Sequence, residues 1–277
     1  MNASVLRPRK LKEALSMLDG EAELEPLAGG TDLFVALNAH SLRAKKFIDL
    51  WSLHELRGIE RDGRQLEFGA LTTYSDCIES KKVNKLLPML VAAAREVGGV
   101  QIQNRGTLGG NIGNGSPAGD SLPIFAACDT TLVLESIKGE REVPWADFYT
   151  GYRKTVRRAD EIITRVRVEV PPGEQYFRKV GTRAAQAISK VVMAAVGSRT
   201  AWGSVAPTVV RAHKLERYLE TGGCDVEEAQ ALLAQEIRPI DDIRSTADYR
   251  RRVSGNLIGN YMQLLRSDRG CVVAPPG

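Results

Sequence analysis

Two glycine-rich stretches hold the residue types best suited to gripping a phosphate. The first, Ala28-Gly29-Gly30-Thr31-Asp32-Leu33, sits between an expected strand at 24–27 and a helix expected to begin at Thr31 or Asp32. Glycine lets a backbone approach an anion closely and reach positive φ. A helix start adds unpaired N–H groups and a positive dipole end. A Gly-Gly pair is equally the stuff of an ordinary turn, and at these positions both uses stay open. The second stretch, from Asn104 to Asp120, contains Gly106, Gly109, Gly110, Gly113, Gly115 and Gly119, with Thr107 and Asn111 among them. Ordering so many glycines is entropically costly, and a bound polyanion meeting several backbone N–H groups would offset that cost. Asp120 closes the stretch, either as the cap of a helix over 121–128 or as the acceptor for a sugar hydroxyl. The spacing is not Gly-x-Gly-x-x-Gly and no strand directly precedes it, which argues against a Rossmann nicotinamide site.

The elements around these loops follow from periodicity. Leu11, Ala14, Leu15 and Leu18 predict a helix over 10–19 stopped by Gly20. Strands are expected at 24–27, with Pro26 suited to an edge, and at 47–50 and 66–70, the last followed by a helix capped by Thr72 or Thr73. A helix over 84–97 ends at Gly98-Gly99, and residues 101–120 read as a long functional loop with little regular structure. Strands at 130–136, 142–145 and 162–170 lead to Pro171-Pro172-Gly173, the best boundary in the chain. Beyond it, strands are expected at 176–180, 188–196 and 205–212, then helices at 213–220, 225–236 and 246–265, with a frayed Ala-Pro-Pro-Gly end. Strands followed by a run of helices read as α+β.

Composition narrows the function. The net charge is +4 with 43% hydrophobic and 26% charged residues, an ordinary globular balance. The basic run Tyr249-Arg250-Arg251-Arg252-Val253 reads as the polar face of a helix rather than a nucleic-acid patch, since no binding module accompanies it. Cys77, Cys128, Cys224 and Cys271 are widely spaced, against a metal or iron–sulfur site in this chain and in keeping with a reducing cytoplasm. Neither a membrane-spanning run nor a secretory signal is expected.

Taken in order, Ala-Gly-Gly-Thr-Asp-Leu at 28–33, Asn-Arg-Gly-Thr-Leu-Gly-Gly-Asn at 104–111 and Ser-Pro-Ala-Gly-Asp at 116–120 resemble the FAD-binding medium subunit of the xanthine dehydrogenase and carbon monoxide dehydrogenase family of molybdenum hydroxylases. So do Phe-Arg-Lys-Val-Gly-Thr-Arg at 177–183, Ala-Ile-Ser-Lys at 187–190, Asp-Ile-Arg-Ser-Thr-Ala at 242–247 and Tyr-Arg-Arg-Arg at 249–252. The resemblance implies an α+β fold: a two-part FAD-binding domain of the vanillyl-alcohol oxidase/PCMH type over 1–172, with subdomains at about 1–57 and 58–172. A C-terminal domain over 173–277 would have a three-stranded sheet with helices. It implies diphosphate contacts from Gly29, Gly30 and Thr31, with Ala28, Asp32 and Leu33 lining the cofactor site beside them, and from Thr107, Gly110 and Asn111 on the other side, with Gly109 also at the cofactor. Asp120 would bind a sugar hydroxyl, and Ile162 or Ile163 would lie against the flavin. Lys179 would reach the cofactor from the C-terminal domain, although its own context reads as an exposed strand lysine.

Neither glycine loop contains His or Cys, and His40 and His54 lie outside them, so FAD is expected to be noncovalent. No catalytic acid, base or metal ligand is expected in the chain. The resemblance further implies a large molybdenum-cofactor subunit and a small subunit with two [2Fe–2S] clusters, assembled as a dimer of heterotrimers, with electrons leaving to NAD or a quinone. A stand-alone flavin oxidase and a non-enzymatic dinucleotide-binding module are the alternatives.

Overall fold

Leu11, Ala14, Leu15 and Leu18 do turn one face of a helix inward, and the unit they organise is small and parallel. The computed structural model describes residues 4–21, 23–40, 46–184 and 186–269; Cys271 and the Ala-Pro-Pro-Gly end lie outside them. β1 (Ser4–Leu6), α1 (Leu11–Gly20), β2 (Leu24–Leu27), α2 (Leu33–Asn38) and β3 (Lys46–Asp49) form the first unit, with strand order β1-β3-β2 and parallel pairing. Pro26 thus sits on an edge strand, where its missing N–H breaks no inner ladder. Ala14, Leu15 and Leu18 pack on Ile48, Leu50 and Leu53 to make this unit's own core.

The second unit is an antiparallel sheet with helices stacked on it. Its elements are β4 (Ile59–Asp62), β5 (Gln65–Gly69), α3 (Tyr74–Glu79), α4 (Lys81–Leu86), α5 (Pro88–Glu96), α6 (Val100–Gln103), α7 (Leu108–Asn114) and α8 (Leu122–Ala127). They continue with β6 (Asp129–Ser136), β7 (Gly139–Pro144), α9 (Trp145–Phe148), the short pair β8 (Tyr149–Gly151) and β9 (Lys154–Thr155), and β10 (Ile162–Glu169). The strand order is β4-β5-β10-β6-β7, which puts β10 in the centre. Thr73 and Asp76 cap α3 reciprocally, as a capping box.

Two expectations change here. The helix expected over 84–97 is broken at Leu87 (φ −135°, ψ 56°), because Pro88 lacks an N–H and drives its predecessor out of the helical region. Residues 101–120 are not an irregular loop, since α6 and α7 lie within them. Leu108 and Ile112, four apart, are buried on one face of α7, but its glycines, each costing about 1 kcal/mol of helix propensity, hide that signal. Tertiary packing explains the glycine at 109: a Cβ there would fall 2.6 Å from that of Ala70.

The third unit comprises β11 (Gln175–Val180), β12 (Val191–Val196), β13 (Arg199–Gly203), β14 (Val210–Arg211), α10 (His213–Glu220), α11 (Val226–Glu236) and α12 (Ala247–Arg269). Three full strands form an antiparallel sheet, and the two-residue β14 extends it at one edge. The strand expected at 205–212 is mostly absent. The third full strand forms earlier, at Arg199–Gly203, straight after the Gly197-Ser198 turn, and Pro207 cannot donate to a ladder. Every residue of β12 is buried, and its two faces serve different cores. Val191, Met193 and Ala195 pack with the helices of their own unit, while Ala194 and Val196 join the central core. A strand covered on both sides reads as a continuous apolar run, as Val-Val-Met-Ala-Ala-Val does. In the basic run at 249–253, Arg251 and Arg252 are exposed, but Arg250 is turned inward and buried.

Candidate cofactor-binding cleft

The three units meet around one cleft of about 1480 Å³, larger than the roughly 300–1,000 Å³ of most small-molecule sites. Ala28, Gly29, Gly30, Thr31, Asp32, Leu33, Thr107, Gly109, Gly110, Asn111, Asp120, Ile162 and Ile163 all line it. Lys179 does not.

The two glycine loops contribute in different ways. In the first, Gly30 has φ +79° and Gly29 lies so close to the second loop that a Cβ would fall 1.6 Å from the Arg105 carbonyl oxygen. Among the described residues, the amides of Gly29, Gly30, Thr31 and Asp32 have no acceptor within the protein. They are a row of donors beside a cleft. In the second loop the amides are already used: Gly109 donates to the Ala70 carbonyl at 2.8 Å, Gly110 to Thr107 Oγ1 at 3.1 Å, and Asn111 to the Thr107 carbonyl at 3.0 Å. The glycines of this loop are therefore ordered by helix bonding and packing, and need no bound polyanion to hold them. What the loop offers the cleft is small size, the hydroxyl hydrogen of Thr107 and the amide of Asn111, whose Oδ1 accepts from Ser121 Oγ at 3.0 Å.

Asp120 caps no helix; Ser121 takes the N-cap position of α8 without a side-chain bond. The Asp120 carboxylate instead pairs with Lys179 Nζ at 2.7 Å and accepts from the Ser189 hydroxyl. Lys179 also donates to the Glu96 carbonyl at 2.9 Å and its side chain is 5% exposed, so it is not an exposed strand lysine. Burial pushes the Asp120 carboxyl upward, and the Lys179 charge and the two hydrogen bonds pull against that rise. Ile162 and Ile163 sit beside a β-bulge between Ile163 and Arg165, which re-aims consecutive side chains. Ile162 packs with the N-terminal core and Ile163 with the central one.

Several lining residues were not foreseen from the sequence. Tyr74 lies beneath the loops, its hydroxyl 3.2 Å from Ser121 Oγ. Glu161 is 1% exposed and bridges Arg141 at 2.7 Å and Arg158 at 2.8 Å. Burial works to raise its carboxyl, but the bonds from these arginines outweigh that and hold it below its usual range. On the C-terminal side, Arg250 donates to the Ser204 carbonyl at 2.6 Å and to Asp242 at 2.7 Å. The sequence signal for this pair was only two opposite charges eight residues apart across a helix start. Arg153, Arg157, Arg238 and Arg244 also line the cleft. His40 and His54 are exposed and lie outside it, and no His or Cys is among the described lining residues. Among the described residues no cluster of three or more His, Cys, Asp or Glu could hold a metal.

Free backbone donors, a hydroxyl donor, a buried carboxylate acceptor and apolar walls fit a ligand that combines phosphates, sugar hydroxyls and a flat ring. FAD is such a ligand, and the near-contact of Gly29 with Arg105 supplies a cradle that a side chain would fill.

Comparison with known proteins gives the same class. Residues 1–171 match the family model for the FAD binding domain in molybdopterin dehydrogenase, and residues 175–265 match the CO dehydrogenase flavoprotein C-terminal domain. The chain is 32% identical over 266 residues to the xanthine dehydrogenase FAD-binding subunit of Escherichia coli O157:H7, covering 90% of each. It is 30% identical over 262 residues to the glyceraldehyde dehydrogenase medium chain of Sulfolobus acidocaldarius, covering 90% of this chain and 93% of that one. Its fold superposes on a chain of the carbon monoxide dehydrogenase from Hydrogenophaga pseudoflava with a TM-score of 0.86 at 28% identity, covering 94% of this chain and 96% of that one. The chain belongs to the family of FAD-binding medium subunits of the molybdenum hydroxylases, the xanthine and carbon monoxide dehydrogenase type.

Proposed function

We propose that this chain holds FAD noncovalently in the cleft and relays electrons from a [2Fe–2S] cluster of a small partner subunit to an external acceptor such as NAD or a quinone. Substrate oxidation would occur at the molybdenum cofactor of a large partner subunit, within a dimer of heterotrimers in the cytoplasm. The observation that carries the reading is the row of amides at Gly29–Asp32, unpartnered among the described residues, beside the cleft that Asp120 and the two isoleucines also line. When bound, FAD supplies the ability to take electrons one at a time and release them singly or in pairs.

The residues of the chain then bind and orient. The amides of Gly29, Gly30, Thr31 and Asp32 meet the diphosphate, with Ala28 and Leu33 framing them and Thr107 and Asn111 adding side-chain donors. Gly109 and Gly110 keep the opposite wall low. Asp120 accepts from a sugar hydroxyl, and Ile162 and Ile163 give an apolar wall that keeps water from the ring. The domain division at 172/173 is supported by the two family matches, which end at 171 and begin at 175. Noncovalent attachment is supported by a described lining without His or Cys. The cytoplasmic placement is supported by Cys77, Cys128 and Cys224 being free thiols. Among the described residues no helix is long and apolar enough to cross a membrane.

The test is anaerobic reduction. Purines, aldehydes or aromatic heterocycles added to the FAD-loaded chain alone should leave the flavin band unbleached, and bleaching should begin only when the molybdenum and iron–sulfur subunits are added. Bleaching by the lone chain would make it an oxidase and overturn the relay; no bleaching with all three subunits would make it a binding module.

A further inference from the structure

We infer that Lys179 is a positioning residue that acts on the cofactor only through Asp120, holding its carboxylate ionised and aimed at the cleft from across the domain junction. This rests on the reading of the cleft as the FAD site. Three observations carry it. Lys179 Nζ is taken up by Asp120 at 2.7 Å and the Glu96 carbonyl at 2.9 Å, and the residue does not line the cleft, whereas Asp120 does. Both ends of the pair are buried, at 5% and 9% side-chain exposure. The groups that grip Asp120, Lys179 on β11 and Ser189 just before β12, come from the C-terminal unit, while Asp120 and Glu96 belong to the middle unit, which carries the second glycine loop.

A carboxylate in such a place costs free energy unless it is paired, and without a partner it takes up a proton instead. Lys179 therefore sets the pH above which Asp120 accepts as a charged group, and it does so only when the C-terminal unit is docked. Other groups face the same point. Tyr74 of α3 reaches it through Ser121, and burial raises its hydroxyl. Glu96 of α5 lies near Lys179 and Arg178, with burial raising its carboxyl against their pull. Either could titrate, so Asp120 must be tested by name.

The experiment measures the FAD dissociation constant of the full chain from pH 5 to 9, by flavin titration into apoprotein, for the wild type, Lys179→Met, Lys179→Arg, Ser189→Ala and Lys179→Met with Asp120→Asn. Affinity should fall about tenfold on acidification, the difference between a charged and a neutral acceptor. That acid limb should lie about one pH unit or more higher in Lys179→Met than in the wild type, near the wild-type position in Lys179→Arg, and slightly raised in Ser189→Ala. It should be absent in the double variant. A uniform loss of affinity at all pH values in Lys179→Met, or a limb that survives Asp120→Asn, would overturn the inference. If Lys179→Met does not fold, Ser189→Ala decides: a raised limb supports the inference and an unmoved limb overturns it. Wild-type protein that binds no FAD at any pH would instead remove the reading on which it rests.

Discussion

Gly29→Ala is expected to weaken FAD binding roughly 100-fold and to destabilise the apoprotein by up to about 3 kcal/mol. The cause is backbone against backbone. The added Cβ would stand 1.6 Å from the Arg105 carbonyl oxygen and 2.5 Å from its carbon, and no rotamer relieves that overlap. The two glycine loops must separate, which moves the free amides of Gly29, Gly30 and Thr31 away from Thr107, with which they line the cleft. Two lost charge-assisted bonds at about 1.5 kcal/mol each account for the affinity. Gly20→Ala is the matched control, since nothing lies within 4 Å of its Cβ and its φ is unstrained. Flavin titration and thermal melting of both variants check the result. Normal FAD affinity in Gly29→Ala would mean that the loops are not the phosphate site.

Glu161→Gln should cost about 2–3 kcal/mol of stability at pH 7. The substitution keeps the shape and removes the charge that Arg141 and Arg158 share. Removing one partner of a buried pair costs about 3–5 kcal/mol, reduced here because the arginine side chains are 36% and 56% exposed and water can solvate them. The sign with pH follows from the depressed carboxyl. A group whose folded value lies below its unfolded one stabilises fully above the unfolded value, about 4.3 for Glu, and loses that stabilisation as pH falls through the folded value. The gap between wild type and Glu161→Gln should thus be constant from pH 7 to about 5 and close below about 4. Urea unfolding at stepped pH checks it, and a gap that widens in acid would contradict the assignment.

Much of this was legible because hydrophobic period and local chemistry agreed. Leu11 to Leu18 form α1, Pro26 falls on an edge strand, and Pro171-Pro172-Gly173 falls between β10 and β11. The glycine loops were legible as lining one cleft, although the reason read for the second was wrong: its glycines are held by helix bonding and by packing on Ala70 rather than by a ligand. What stayed hidden was set by tertiary contact. The helix α7 is made of poor helix formers held by Ala70 and Thr72, residues distant in sequence. The inward turn of Arg250 depends on the Ser204 carbonyl, and the retreat of Lys179 from the cleft depends on Asp120, a residue 59 positions away. A lysine in a strand with alternating neighbours reads as exposed, and only the docking of two units buries it.

The central claim is that the cleft holds FAD without a covalent bond, and acid precipitation of the purified holoprotein tests it most directly. The yellow colour should pass entirely into the supernatant as FAD, identified by chromatography, leaving a colourless pellet that rebinds FAD on refolding. Flavin retained in the pellet would contradict the noncovalent site, and a colourless protein that takes up no added FAD would contradict the cofactor itself.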